Sequence, residues 1–131
     1  LSDIGLLRAR SGVSAETIME GTELYRRFKG AFAENYVLNE LLAQGKEAYF
    51  WRSGNTAEID FIYENNSVLV PVEVKSADNT QAKSYRQFCG LYEPVYGFKM
   101  SEKNIGKNKC KETETTNLPL YLCWNIDKYA E

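Results

Sequence analysis

The sequence predicts an α/β fold: a mixed β-sheet flanked by helices, with the core order α-β-β-β-α-β. Three observations predict it. A helical stretch is followed by three runs rich in β-branched and aromatic residues, "AYFWRS", "AEIDFIY" and "VLVPVEV", joined by short turns; strands joined that way are antiparallel neighbours. A strand, helix, strand unit over residues 68–100 favours a parallel, right-handed crossover. The 131 residues, 44% of them apolar and 13% aromatic, suffice for one compact core. Residues 1–131 are therefore read as a single domain.

Residues 1–22 carry Leu6 and Leu7, a possible N-cap at Ser14 and a stop at Gly21, and are read as a segment that packs on a core spanning 23–100. From Glu23 to Gln44 the pattern is helical, with Gly45 as its C-terminal stop. The hairpin 57–78 follows "AYFWRS". Asp78, Asn79 and Thr80 offer N-caps for a second helix, whose Ala82, Tyr85, Phe88, Cys89 and Tyr92 recur every three or four residues and mark a core face that ends at Pro94. "VYGFKM" is the next strand. Residues 101–117, "SEKNIGKNKCKETETTN", are polar and predict a connection, and 118–124, within "LPLYLCWNI", a final strand.

Composition removes several kinds of chemistry. There is no histidine, so Ser-His and Cys-His nucleophiles and most zinc or iron centres are excluded. The three cysteines, Cys89, Cys110 and Cys123, are an odd number without C-x-x-C spacing and are read as free thiols of a reducing, cytoplasmic environment. No run of 18 apolar residues and no secretory leader pattern occurs. The net charge of −2 and a pI near 5.3 provide no bulk attraction to nucleic acid. The chain opens on Leu1 with "LSDIGLL", which reads as the middle of a longer protein.

The hairpin poses a problem, because its apolar strands carry Asp60, Glu73 and Lys75. With a turn closed on Asn65 and Asn66, Asp60 faces Pro71, and Glu58, Asp60, Glu73 and Lys75 share one face, Asp60 one diagonal step of roughly 7–8 Å from Glu73. A slip of one residue, or a bulge signalled by Pro71, would turn Asp60 to the other side. On the preceding helix Glu34 falls within a stripe of Ala31, Leu38, Leu41, Leu42 and Gly45, with Val37 beside it. A carboxylate at a core-facing position needs a partner or shifts its pKa. Acidic groups converging with one lysine suit a hard cation such as Mg²⁺ and phosphodiester chemistry. The plainer reading is a solvated face of an antiparallel sheet with no site.

"GAFAENYVLNELLAQG", "YFWRSGNTAEIDFIY" and "VPVEVKS" resemble the three core motifs of the PD-(D/E)xK nuclease superfamily. Together with "SDIGLL" they resemble, over residues 1–100, the nuclease-like C-terminal domain of a family of prokaryotic AAA+-type ATPases. The resemblance implies a restriction-endonuclease-like fold and hydrolysis of DNA phosphodiesters with Mg²⁺ or Mn²⁺. It implies Asp60, Glu73 and Glu34 as metal ligands, Lys75 as the catalytic lysine that orients water or stabilises charge, and an ATPase domain in the same chain. Ile59 stands where the superfamily's name has proline. Gln87 is matched to a glutamine of related resolvases.

Arg26, Arg27 and Lys29 precede Glu34, Lys83 and Arg86 lie on the polar face of the second helix, and Arg52 follows Trp51. Each is a candidate for nucleic-acid contact, against the plain reading that exposed helix faces carry Lys and Arg. Trp51 is expected in the core. The rival function is a catalytically inactive nuclease fold, kept for partner or nucleic-acid binding and for regulating the ATPase.

Overall fold

The computed structural model describes residues 23–54, 57–75 and 83–130. The expected packing segment 1–22, with its Ser14 cap and Gly21 stop, and the caps Asp78, Asn79 and Thr80 lie outside the described residues. Helix α1, Glu23–Ala43, leads into β1, Tyr49–Ser53, β2, Ala57–Asn65, and β3, Val68–Val74. Helix α2, Lys83–Tyr92, follows, then β4, Tyr96–Ser101, β5, Gly106–Cys110, β6, Thr113–Pro119, and a 3-10 stretch, Leu120–Tyr129, kinked at Asn125. The six strands form one mixed sheet in the order β1-β2-β3-β4-β6-β5. Strands β3, β4 and β6 run parallel and the other neighbours antiparallel. This is the α/β architecture expected, with helices on both faces.

The end of α1 follows from its glycine. Gly45 takes φ +76°, donates its N–H to Leu42 (2.9 Å), and lets Lys46 donate to Leu41 (3.0 Å), the double bond that closes a helix through a left-handed residue. Leu41, Val37 and Ala33, four apart, form the buried stripe of α1. They meet Tyr63, Val70, Val72, Val74, Phe98, Met100 and Leu118 on one face of the sheet. The expected stripe is therefore corrected: Ala31, Leu42 and Glu34 are exposed, because α1 covers β3 and the C-terminal stretch along a narrow line. On the other face, Tyr85, Phe88 and Cys89 of α2 pack on Ile59 and Ile62, and Trp51 joins them edge-on to Phe88 at 5.2 Å.

Two expectations at the C-terminal end are also corrected. Residues 101–117 are not a loop, since they hold β5 and most of β6. Their polar composition hid the strands: β5 is an edge whose Lys107, Asn108 and Lys109 face water, a common guard against edge-to-edge pairing. The threonines of β6 are buried because distant groups complete their hydrogen bonds, Thr113 donating to the Pro94 carbonyl (2.8 Å) and Thr115 meeting the Tyr85 hydroxyl (3.0 Å). The predicted final strand 118–124 breaks at Pro119, where the chain turns into 3-10 geometry. Leu118, Leu120 and Leu122 alternate like a strand, but the buried pair Cys123 and Ile126 follows the three-residue repeat of the 3-10 form.

The hairpin register differs by two from the expected one. Asn65 pairs with Val68 and Ile62 with Pro71, so the turn is Asn66-Ser67, both with positive φ (50° and 65°). That is the type I′ geometry, whose twist matches the flanking strands. Pro71 pairs regularly and makes no bulge. Gly97 of β4 stands against it: a Cβ there would lie 2.3 Å from the Tyr85 hydroxyl and 2.9 Å from the Pro71 ring.

Two stability changes of opposite sign are expected. Ser67→Gly relieves a left-handed residue in an otherwise favourable turn and should raise stability by about 0.5–1 kcal/mol in urea unfolding. Gly97→Ala must displace the buried Tyr85 and should lower it by roughly 1–3 kcal/mol in the same assay.

Candidate active site at the end of β3

Strand β2 carries a bulge where the site begins. Tyr49 pairs with Ile62 but Trp51 with Ile59, so two residues, Asp60 and Phe61, stand opposite the single Phe50. A bulge of this kind interrupts alternation. Ile59 and Ile62 both reach the α2 face, whereas Phe61 packs on the α1 side. Asp60 stands at the bulge itself, between Ile59 on the α2 face and Phe61 on the α1 face. Val72 and Val74 belong to the α1 face, and Glu73 and Lys75, which alternate with them, share the other face as expected.

Asp60 and Glu73 meet at the open end of the β2–β3 ladder. The Asp60 carboxylate accepts the Val74 N–H (2.7 Å), reaching over to the next strand. Beyond this point β3 pairs with β4 on its other side, and Lys75 N–H donates to the Met100 carbonyl (2.8 Å). The Lys75 Nζ lies 2.6 Å from Glu73 Oε1. Glu73 is only 3% exposed, and its Oε2 is buried without a hydrogen-bond partner. Such an orphan is rare in a folded protein and asks for a donor or a cation. The place is apt, since ligands of α/β sheets gather at the carboxyl ends of parallel strands.

Electrostatics tie four groups together. Burial pushes the Glu73 carboxyl up to about 7; the Asp60 charge adds to that rise, and Lys75 opposes it. Burial also raises Asp60, against the Val74 N–H and the Lys75 charge. Glu34 is exposed as a residue, yet its carboxyl is raised by partial loss of water and then by Asp60 and Glu58, with Lys75 pulling it down. Burial works to lower Lys75, but the carboxylates of Glu73, Asp60 and Glu34 outweigh it, so its ammonium sits above its ordinary range. Lys75 is thus a firm cation at neutral pH. It can donate a proton-bearing contact or offset negative charge, and it is no general base.

Among the described residues, no group of three His, Cys, Asp or Glu side chains is set to hold a metal ion. The pair Asp60 and Glu73, with its unpartnered Oε2, fits a cation that takes one or two carboxylates and keeps several waters, as Mg²⁺ does.

The remaining candidates scatter. Arg52 is exposed and pairs with Glu58 (3.3 Å), and Lys29 with Glu102 (2.6 Å). Lys83, Arg86 and Gln87 are exposed on α2, across the sheet from α1. Arg26 and Arg27 lie on the first turns of α1. Lys99, which sequence reasoning missed, pairs in register with Glu73 and holds its Nζ 5.2 Å from the Tyr85 ring. Only the parallel β3–β4 register brings it there, and no local signal foretells that register.

The fold and these residues define a mixed α/β domain with a buried, charge-coupled carboxylate cluster at one sheet end. The chain matches the family described as Domain of unknown function (DUF4143) over residues 29–121 and belongs to it; such domains are often found with AAA ATPases. The match takes in Glu34, Asp60, Glu73 and Lys75. No curated protein and no solved structure matches the chain. Among the described residues no helix is long and apolar enough to cross a membrane.

The raised Glu73 pKa has a signed consequence. The folded protein holds this proton up to about pH 7, whereas an unfolded glutamate releases it near 4.5. Stability therefore falls as pH rises from about 4.5 to about 7, and the penalty is complete above that, roughly 3 kcal/mol at most. Glu73→Gln, thermally unfolded in a chelator, should exceed wild type in Tm at about pH 8 and nearly equal it near pH 5. An unchanged gap across that range would remove the buried, protonated carboxyl.

Proposed function

We propose that this domain is a metal-dependent phosphodiesterase of the PD-(D/E)xK type, acting on DNA as a module appended to an ATPase. One observation carries the reading: a buried glutamate with one oxygen on a lysine and the other unpartnered, beside a second carboxylate. The order of a helical Glu34, strand Asp60 and Glu73-x-Lys75 supports it, as does the frequent company of this family with AAA ATPases.

In this reading Asp60 and Glu73 hold Mg²⁺ or Mn²⁺. When bound, the ion supplies charge neutralisation at the scissile phosphate and a more acidic water. Binding it requires Glu73 to give up the proton that burial favours, so affinity rises with pH through about 7. The Asp60 carboxylate is oriented by the Val74 N–H, which fixes one of its oxygens. Lys75, charged at neutral pH, donates to the attacking water or to a phosphate oxygen. Glu34, at the rim, adds negative charge that strengthens cation capture without being needed as a ligand.

A second reading, the inactive nuclease fold that binds a partner or regulates the ATPase, draws on one specific observation. Among the described residues no three carboxylates form a ready-made cage.

Purified protein with Mn²⁺ should cleave DNA, and Asp60→Ala and Lys75→Ala should each lose about a hundred-fold or more of that rate. Titration calorimetry should give a Mn²⁺ heat that disappears in Asp60→Ala. Normal metal binding with no cleavage of any DNA would favour the second reading, and no metal binding at millimolar concentration ends the catalytic one.

A further inference from the structure

Lys99 of β4 stands in register with Glu73 of β3 on one side and with Asn117 of β6 on the other. Residues directly opposite one another in a sheet share a face, and here that face is the one under α2. Gly97, two residues before Lys99, turns its Cβ position toward the Tyr85 hydroxyl, and Thr115, two before Asn117, meets the same hydroxyl (3.0 Å). The carboxyl ends of the three parallel strands thus present a row of Glu73, Lys99 and Asn117, with Lys75 two residues beyond Glu73. The two lysines of this face are held differently. Lys75 Nζ is bonded to Glu73 Oε1 at 2.6 Å, and the charges of Asp60 and Glu34 strengthen that hold. Lys99 is half-buried, and among the described residues no carboxylate pairs with it; its Nζ rests 5.2 Å from the centre of the Tyr85 ring.

We infer that Lys99 is the phosphate-binding cation of the site: its ammonium takes a non-bridging oxygen of the substrate phosphodiester on the α2 face, beside the ion held by Asp60 and Glu73. The inference rests on the phosphodiesterase reading above. A lysine already bonded to a buried carboxylate has little left to offer an anion. A lysine held only by an aromatic ring gives up a weak cation–π attraction and gains a charge-assisted hydrogen bond. The Tyr85 hydroxyl is engaged by Thr115, so the ring stays fixed and keeps the ammonium close to the row without neutralising it. Charge also favours this side of the sheet end. Glu34 belongs to α1 and Glu58 is paired with Arg52, whereas in the row on the α2 face one carboxylate, Glu73, stands with two ammonium groups. An anion is therefore drawn between Lys75 and Lys99, away from Glu34 and Glu58.

Lys99→Met keeps an apolar stem over Tyr85 and removes the charge, and Lys99→Arg keeps the charge. The test follows the anisotropy of a fluorescent DNA oligonucleotide in Ca²⁺ at several salt concentrations, with Mn²⁺ calorimetry and thermal unfolding of each protein. Lys99→Met should weaken binding about ten-fold and lower the slope of log affinity against log salt by about one, and Lys99→Arg should restore both. Both variants should keep the wild-type Tm and bind Mn²⁺ no more weakly than wild type. An unchanged salt slope in Lys99→Met overturns the inference whether or not binding weakens, because a lysine that only packs on Tyr85 releases no counterion from DNA. Loss of the Mn²⁺ heat in Lys99→Met also overturns it, since Lys99 would then serve the cation site itself. Wild type that binds Mn²⁺ but no oligonucleotide defeats the inference alone, whereas failure of Mn²⁺ to bind wild type defeats the reading it rests on and the inference with it.

Discussion

Glu73 is a carboxylate taken almost wholly out of water at the end of a central strand, and the rest of the site is arranged around that fact. An ionised group so placed costs several kcal/mol unless its charge is answered. Lys75, two residues on, answers one oxygen at 2.6 Å, and nothing in the described protein answers the other. The carboxyl responds by titrating near neutrality, and its charge helps hold the Lys75 ammonium above its ordinary range. A core serving stability alone would be better served by an apolar residue of similar size at position 73. The retained strain is the strongest physical reason to read this end of the sheet as a place where something binds.

The sheet supplies the setting through one irregularity. Without the extra residue in β2, Ile59 and Ile62 could not both pack under α2. With it, Asp60 reaches the Val74 N–H at the point where β3 changes partners from β2 to β4. Glu34 of α1 lies within electrostatic range of Asp60 and Lys75 there. Gly97 lets β4 approach Pro71 and Tyr85, which holds β4 against the part of β3 that precedes Glu73.

Much of the fold is legible in local sequence because its signals are local. The periodicity of Val37 and Leu41, the stop at Gly45, the alternation through "FIYEN" and "VLVPVEV", and the spacing of Tyr85, Phe88 and Cys89 each name an element without outside help. The polar strands β5 and β6 stayed hidden because their burial depends on hydroxyl partners such as Pro94 and Tyr85, far along the chain. The 3-10 stretch reads as a strand in the sequence because leucines two apart satisfy either pattern until packing selects Cys123 and Ile126.

For the site, the sequence by itself determined the chemistry available: no histidine, a helical glutamate, an aspartate and a Glu-x-Lys on adjoining strands. These are matters of residue identity and short spacing. Only the tertiary structure decided which groups are buried, which oxygen is left without a partner, that Glu34 sits at a rim and not in the core, and that Lys99 stands in register beside Glu73. Those depend on a bulge and on a parallel register, and both are fixed by the packing of whole faces against one another, which no short stretch of chain encodes.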